Sequence, residues 1–307
     1  MKSMPKRIAA EHWAEVLGRD LCELLDSADR SLPVEVTPIT TLHSSGNAPS
    51  SFLLRFADGT LLKGKRLPST SAANDLTSLL RLLDCQQFPD VIGQNASAVL
   101  FEWIEGDVLE GCMCEEQDLK EWGRFHAKLH SRAIPVELVE SKRIEVSRVW
   151  QQLCADLRSL CEEGLLERRE KERALNLSRK QIPEVLEFGT IHGDLCPENI
   201  VVSRSGRVFV VDNETVRIGV PEFDLARTWY RWPMSRSERE AYMAGYSEVR
   251  RRVDFEDCSL FWSIRVLAEA SLFRWSRRTK RADLPLTLLR SILNRNEDLL
   301  HTDRSCC

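Results

Sequence analysis

The chain has 307 residues, 43% of them apolar, with 43 lysines and arginines against 47 aspartates and glutamates for a net charge of −4. That is enough apolar material for one large core or two modest ones, and the balanced charge argues against a general polyanion binder, so no nucleic-acid partner is expected. No stretch approaches roughly eighteen apolar residues, and the basic start Met1 to Arg7 lacks a following apolar segment, so a cytoplasmic protein with no membrane partner is expected.

Residues 8 to 28 read as a helix, because Ala9, Trp13, Val16, Leu17, Leu21 and Leu24 return at three- and four-residue steps. Pro33 and Pro38 mark a boundary, and a small polar loop from Thr40 to Ser51 leads into a strand, Phe52 to Phe56. An Asp58-Gly59 turn and a second strand, Leu61 to Leu67, complete a hairpin. Lys63 and Lys65 lie two apart on that strand and so share one face. A helix from about Ala72 to Leu83 follows, then an apolar strand from Ala98 that breaks at Gly106. A helix from about Gln117 to Ser131 shows a core face of Leu119, Trp122, Phe125 and Leu129. His126 and His130 are spaced i, i+4 as in zinc helices, but Ala127 stands where a zincin carries Glu and no third ligand is evident, so they read as structural. A second helix carries Val146, Val149, Trp150, Leu153, Leu157 and Leu160, and the charged run Glu167 to Lys180 reads as a solvated helix end or connector. Ten scattered cysteines lack the paired spacing of a zinc or disulfide framework, and Cys306-Cys307 reads as an unmodified tail.

The densest chemistry lies in Ile191-His192-Gly193-Asp194-Leu195-Cys196-Pro197-Glu198-Asn199, followed by the apolar run Val208 to Val211 and then Asp212. This spacing fits the kinase catalytic loop H-R-D-x-x-x-x-N, with a metal-binding Asp after a short strand pair, everywhere except at Gly193. An aspartate taking the proton of an attacking hydroxyl must sit beside the transferred phosphoryl group, and an amide oxygen five residues on can reach a metal on the same phosphate. Asp194 and Asn199 occupy those positions, and a hairpin around Ser203 to Gly206 is expected to return Asp212 as a second metal ligand. Magnesium suits such a set, since it takes a few protein oxygens and completes its octahedron with phosphate and water. The plain rival is a hairpin that carries Asp and Asn at turn positions.

At these residues the chain resembles the aminoglycoside phosphotransferase and choline kinase-like family of small-molecule kinases. Gly193 in place of Arg, and Asp212-Asn213-Glu214 in place of D-F-G, belong to that family. The similarity runs from about Thr37 to the end of the chain and is most specific from Thr190 to Ala226. It implies an α+β, protein-kinase-like two-lobed fold with a small N-terminal β-rich lobe and a larger, mainly helical C-terminal lobe. The corresponding division is a helical extension over 1–33, an ATP-binding lobe over 34–105 and a catalytic and substrate lobe over 106–307.

The resemblance also implies ATP and Mg2+ as cofactors and a small-molecule acceptor, with no obligate protein partner indicated. It makes Ser45, Gly46 and Asn47 the phosphate loop, and Lys63 or Lys65 the phosphate clamp, held by Asp75 from the next helix. The longer interval to Asp75 favours Lys63. The Glu102 carbonyl and the Ile104 amide would bind adenine, and Asp224 would anchor the helix and loop near the site. Only a few residues separate Glu214 from Asp224, too short a segment for the peptide-docking loop of a protein kinase. The expected activity is therefore ATP-dependent transfer of a phosphoryl group to a small-molecule hydroxyl, and the rival is a nucleotide-binding regulator without turnover. The helix expected over Phe261 to Arg281 carries six basic residues against Glu269 alone, which weakens the aminoglycoside reading without excluding it, and its Trp262, Phe273 and Trp275 read as core or as pocket lining.

Overall fold

The computed structural model describes residues 13–28, 32–39, 50–109, 114–250, 255–276 and 283–295. Two units emerge, one made of Met1–Asp107 with Val201–Glu214 and the other of Val108–Ile200 with Thr215–Cys307. The segment Val201–Glu214 thus clusters with the first unit rather than with the rest of 106–307. One tie has a plain physical form: the Val210 amide donates to the Gln87 carbonyl at 2.7 Å.

In the first unit the single helix expected from residue 8 is two described helices, α1 (Trp13–Leu17) and α2 (Arg19–Ser27). Gly18, at φ 75°, turns the chain between them. Strands β1 (Glu35–Pro38), β2 (Ser51–Arg55), β3 (Leu61–Arg66), β4 (Val91–Asn95) and β5 (Ala98–Glu102) pair antiparallel in the order β1-β2-β3-β5-β4. Helix α3 (Thr70–Leu83) lies between β3 and β4 in sequence, and the Ser69 hydroxyl caps its start by accepting from the Ala72 amide.

Leu17, Leu21, Leu24 and Leu25 share one core with Val36, Phe52, Leu54, Leu62 and Leu100, so the first helices are part of this sheet's packing. A Cβ on Gly64 would meet Leu21 at 2.9 Å. Strand alternation therefore gives one face of β3 to α2 and the other to Lys63 and Lys65. A three-stranded sheet, order β6-β8-β9, is formed by β6 (Gly106–Val108), β8 (Ile200–Ser203) and β9 (Val208–Val210).

The second unit is mainly helical. It contains α4 (Glu116–His130), α5 (Val136–Lys142), α6 (Val146–Glu162), α7 (Arg168–Lys180), α8 (Pro221–Arg231), α9 (Arg236–Val249), α10 (Phe255–Ser276) and α11 (Asp283–Arg295). The charged run read as a solvated end or connector is the helix α7, begun by a capping box between Glu167 and Glu170. Helices α4 and α9 touch backbone to backbone: a Cβ on Gly123 would come within 1.9 Å of the Tyr242 carbonyl oxygen, and one on Gly245 within 2.0 Å of that of Lys120. Helix α10 is buried along most of its length, between α8, α6, α7 and α11, and this includes Trp262, Arg265 and Arg274. Phe273 and Trp275 are exposed. Strands β7 (Gly189–Ile191) and β10 (Arg217–Gly219) pair antiparallel and bracket the His192 to Asn199 loop in sequence. Among the described residues no helix is long and apolar enough to cross a membrane.

Candidate active site

The candidate residues fall into two groups, one in each unit. In the second unit the chain leaves β7 at Ile191, passes through His192, Gly193 and Asp194, and closes in a short 3-10 turn, Pro197–Asn199. Gly193 sits at φ 81°. A Cβ there would lie 2.8 Å from the Thr215 carbonyl oxygen and 2.6 Å from the Arg217 guanidinium, so sterics account for glycine where the kinase template has Arg.

Asp224, in the first turn of α8, fixes this loop from below. Its carboxylate accepts from the His192 amide at 2.7 Å and the Gly193 amide at 2.8 Å. His126 and His130 on α4 bring their Nε2 atoms to the same carboxylate at 2.9 and 3.2 Å. Their Nδ1 atoms meet the hydroxyls of Tyr242 and Tyr246 at 2.7 and 2.8 Å. The sequence suggested no third partner for the histidines, and the fold supplies Asp224. Every ring nitrogen is hydrogen-bonded, which suits a structural pair. Burial first, then the neighbouring His126, pushes His130 down to about 3. Burial alone would raise the Asp224 carboxyl, but the hydrogen bonds from both histidines outweigh it and hold the group well below the usual carboxylate range.

Asn199 donates from Nδ2 to the Asp194 carbonyl at 2.8 Å and reaches the Asp194 carboxylate at 3.3 Å. That bond orients the amide and leaves its Oδ1 as an acceptor for a hard cation. Two arginines missed in the sequence reading approach Asp194 Oδ1, Arg231 Nε at 3.1 Å and Arg227 Nε at 3.5 Å. Asp224, Arg227 and Arg231 are spaced i, i+3, i+7 on α8, so one helix face carries the loop anchor and both cations. Burial presses the Arg231 guanidinium down, and Asp194 more than reverses this, so it stays protonated.

In the first unit Lys63 is buried and pairs with Asp212 and, at 3.4 Å, with Glu214. Lys65 pairs with Glu214 at 2.6 Å and with the Ser51 hydroxyl at 2.9 Å. The carboxylates that meet Lys63 and Lys65 are therefore Asp212 and Glu214, which follow β9. Asp75, the partner expected from the resemblance, stands on the exposed side of α3. Glu214 is the second group the sequence reading left without a role, although its position two residues after Asp212 was the available signal. Burial raises the Glu214 carboxyl, but the two ammonium groups win and bring it down to about 2. The same balance keeps the Lys63 ammonium above its ordinary range despite burial. Asp212 holds a left-handed backbone, φ 59°, where the chain turns out of β9.

Glu102 ends β5 with its amide bonded to the Asp90 carbonyl at 2.9 Å, and Ile104 lies in the link to β6. Ser45, Gly46 and Asn47 lie outside the described residues, as do Cys306-Cys307.

A family model described as "Phosphotransferase enzyme family" matches residues 41–256. No curated protein sequence matches the chain. Among solved structures, choline kinase LicA from Streptococcus pneumoniae aligns with a TM-score of 0.67 at 16% identity, covering 88% of this chain and 96% of its own. A macrolide 2'-phosphotransferase type I aligns with a TM-score of 0.63 at 14% identity, covering 94% and 98%. An ethanolamine kinase of Plasmodium vivax aligns with a TM-score of 0.61 at 12% identity, covering 82% and 83%. At these identities the likeness is one of fold.

Proposed function

The chain belongs to the phosphotransferase enzyme family, and from that premise we propose that it transfers the γ-phosphoryl group of ATP to a hydroxyl of a small molecule, with Asp194 as the group that orients the hydroxyl and takes its proton. The observation that carries this reading is the construction around Asp194. The loop amides are bound by a buried carboxylate, and the Asp194 side chain is held by Asn199, Arg227 and Arg231. Positioning and electrostatics supply most of the rate in phosphoryl transfer, so a rigid, charged setting is what the chemistry requires.

In the proposed step the acceptor oxygen bonds to the γ-phosphorus as the bond from that phosphorus to the bridging oxygen breaks. ADP leaves with the electron pair, and the hydroxyl proton passes to the Asp194 carboxylate. Arg227 and Arg231 hold the Asp194 carboxylate in orientation until the hydroxyl is acidified by bond formation. They also place positive charge where the transferred group spreads its negative charge.

Asn199 and Asp212 offer an amide oxygen and a carboxylate oxygen, the hard donors magnesium prefers, and are proposed as its protein ligands on the strength of their spacing in the motif. Magnesium held by them would neutralise charge on the phosphates. Lys63 and Lys65 are proposed to pair with phosphates, Glu214 to hold both lysines in place, Ser45, Gly46 and Asn47 to cover the phosphates, and Glu102 and Ile104 to bind adenine through their backbone groups. A screen of ATP consumption across amino alcohols, sugars, hydroxy acids and antibiotics, with mass spectrometry of the products, tests the reading. A product one phosphoryl group heavier than its acceptor is expected. Absence of any such product, with ATP bound, would refute it.

A further inference from the structure

Within the unit that carries Asp194 lies a cavity of about 270 Å³ lined from α6, α8, α10 and the β7-β10 pair. It is at the small end of ligand pockets, which run from about 300 to 1,000 Å³. Its apolar wall includes Ile191, Phe223 and Trp262, the two rings meeting edge to face at 6.3 Å. Its charged lining is Arg148, Arg217, Arg265 and Glu269.

The pairing of these charges decides which ligands the cavity suits. Glu269, the one carboxylate lining it, is engaged by Arg265 at 2.7 Å and faces Arg227 at 3.8 Å. Arg265 is further held by Asp156 at 2.8 Å. Arg217 bonds only the Thr215 carbonyl, at 3.1 Å, and neither Arg217 nor Arg148 makes an ion pair among the described residues. Asp224 and Glu269 act on Arg217 from beyond ion-pair distance. A cationic ligand would therefore find Glu269 already engaged and two guanidinium groups opposing it, whereas an anion would meet two guanidinium groups that no carboxylate among the described residues holds in a direct ion pair. Arg217 packs on Gly193, next to the proposed base, so an acid bound there lies beside the loop that carries Asp194.

We infer that the acceptor is a small hydroxyl-bearing acid, its carboxylate or phosphate held by Arg217 and Arg148 and its apolar body laid against Trp262 and Phe223. This rests on the phosphotransferase reading for the fate of the ligand, but the binding chemistry stands on the cavity alone.

The test uses the full chain with tropate as a carboxylate probe, glycerol 3-phosphate as a phosphate probe, and choline and kanamycin as cations. Binding is read by tryptophan fluorescence and calorimetry, and transfer by ADP release with Mg-ATP. Tropate or glycerol 3-phosphate should bind at least about tenfold more tightly than either cation, and the better of the two identifies the anion class. Arg217→Gln and the exposed-site variant Arg148→Glu should each weaken that anion at least about fivefold, roughly what losing or reversing one partly exposed charge contact costs. Arg148→Glu guards against a folding defect at Arg217. Anion binding without ADP release would keep the cavity assignment and refute the phosphotransferase reading. Phosphorylation of choline or kanamycin with no anion bound would overturn the inference and leave that reading intact. No anion binding, or binding unchanged in both variants, would also overturn it.

Discussion

Lowering the pH from about 7.5 to about 5 should destabilise the second unit through His130, and the structure sets the size of the effect. His130 is neutral in the fold, with its pKa pushed down to about 3 by burial and by His126, against 6.5 when unfolded. Between those values the unfolded chain binds the proton and the folded one does not. Stability is therefore complete above pH 6.5 and falls as the pH drops through the window, by about 1.4 kcal/mol per unit. At pH 5 the loss is about 2 kcal/mol. The assay is urea unfolding followed by tryptophan emission, because Trp122, Trp229, Trp232 and Trp262 are all buried in this unit. In His130→Gln the amide can still donate towards Asp224 but does not titrate, so the variant should lose that share of the pH dependence. Keeping the ring also matters at neutral pH, where the variant should be less stable by about 1 kcal/mol from the imperfect bond to Tyr246. An identical pH slope in the two proteins would refute the account of the Asp224 cluster.

Gly193→Ala should cost about 2 kcal/mol and impair transfer, since the residue holds φ 81° and the new methyl would press on the Thr215 carbonyl; unchanged urea midpoint and turnover would contradict this. Asp212→Ala should remove magnesium-dependent nucleotide affinity, read by calorimetry with and without Mg2+, and equal affinity in both proteins would reduce Asp212 to the end of a hairpin. Lys63→Ala and Lys65→Ala should each weaken ATP use, with Lys63 the more severe because it is buried against Asp212. Either lysine combined with Glu214→Gln should fall short of additivity, whereas Asp75→Ala should change KM for ATP by less than about twofold; additive lysine and Glu214 effects would separate the three.

The family was legible from the run His192 to Asn199 because its residues are close in sequence, and the contact of Asn199 with Asp194 is equally local. The antiparallel hairpin of β2 and β3 was legible from alternation and the Asp58-Gly59 turn, and the shared face of Lys63 and Lys65 followed from the strand period. What the sequence could not supply was pairing across long separations. Glu214 and Lys65 stand 149 residues apart, and nothing local says that Lys63 and Lys65 meet carboxylates after β9 rather than Asp75 on the adjacent helix. Likewise His126 and His130 showed a helical spacing, while Asp224, 98 and 94 residues away, became their partner only through the packing of α4 beside α8 and α9. Arg227 and Arg231 drew no reading from the sequence, because that their face of α8 turns to Asp194 is a tertiary fact.

The central claim, that Asp194 takes the acceptor proton during phosphoryl transfer, is tested most directly by Asp194→Asn assayed for ADP release with the acceptor that the screen returns. The amide keeps the shape, and the bond from Asn199 to the backbone carbonyl is untouched, so the loop should hold its form. Transfer should fall by at least about a hundredfold, the usual worth of a positioned acid–base group, while ATP affinity stays within about twofold. Near-normal turnover in Asp194→Asn would contradict the assignment.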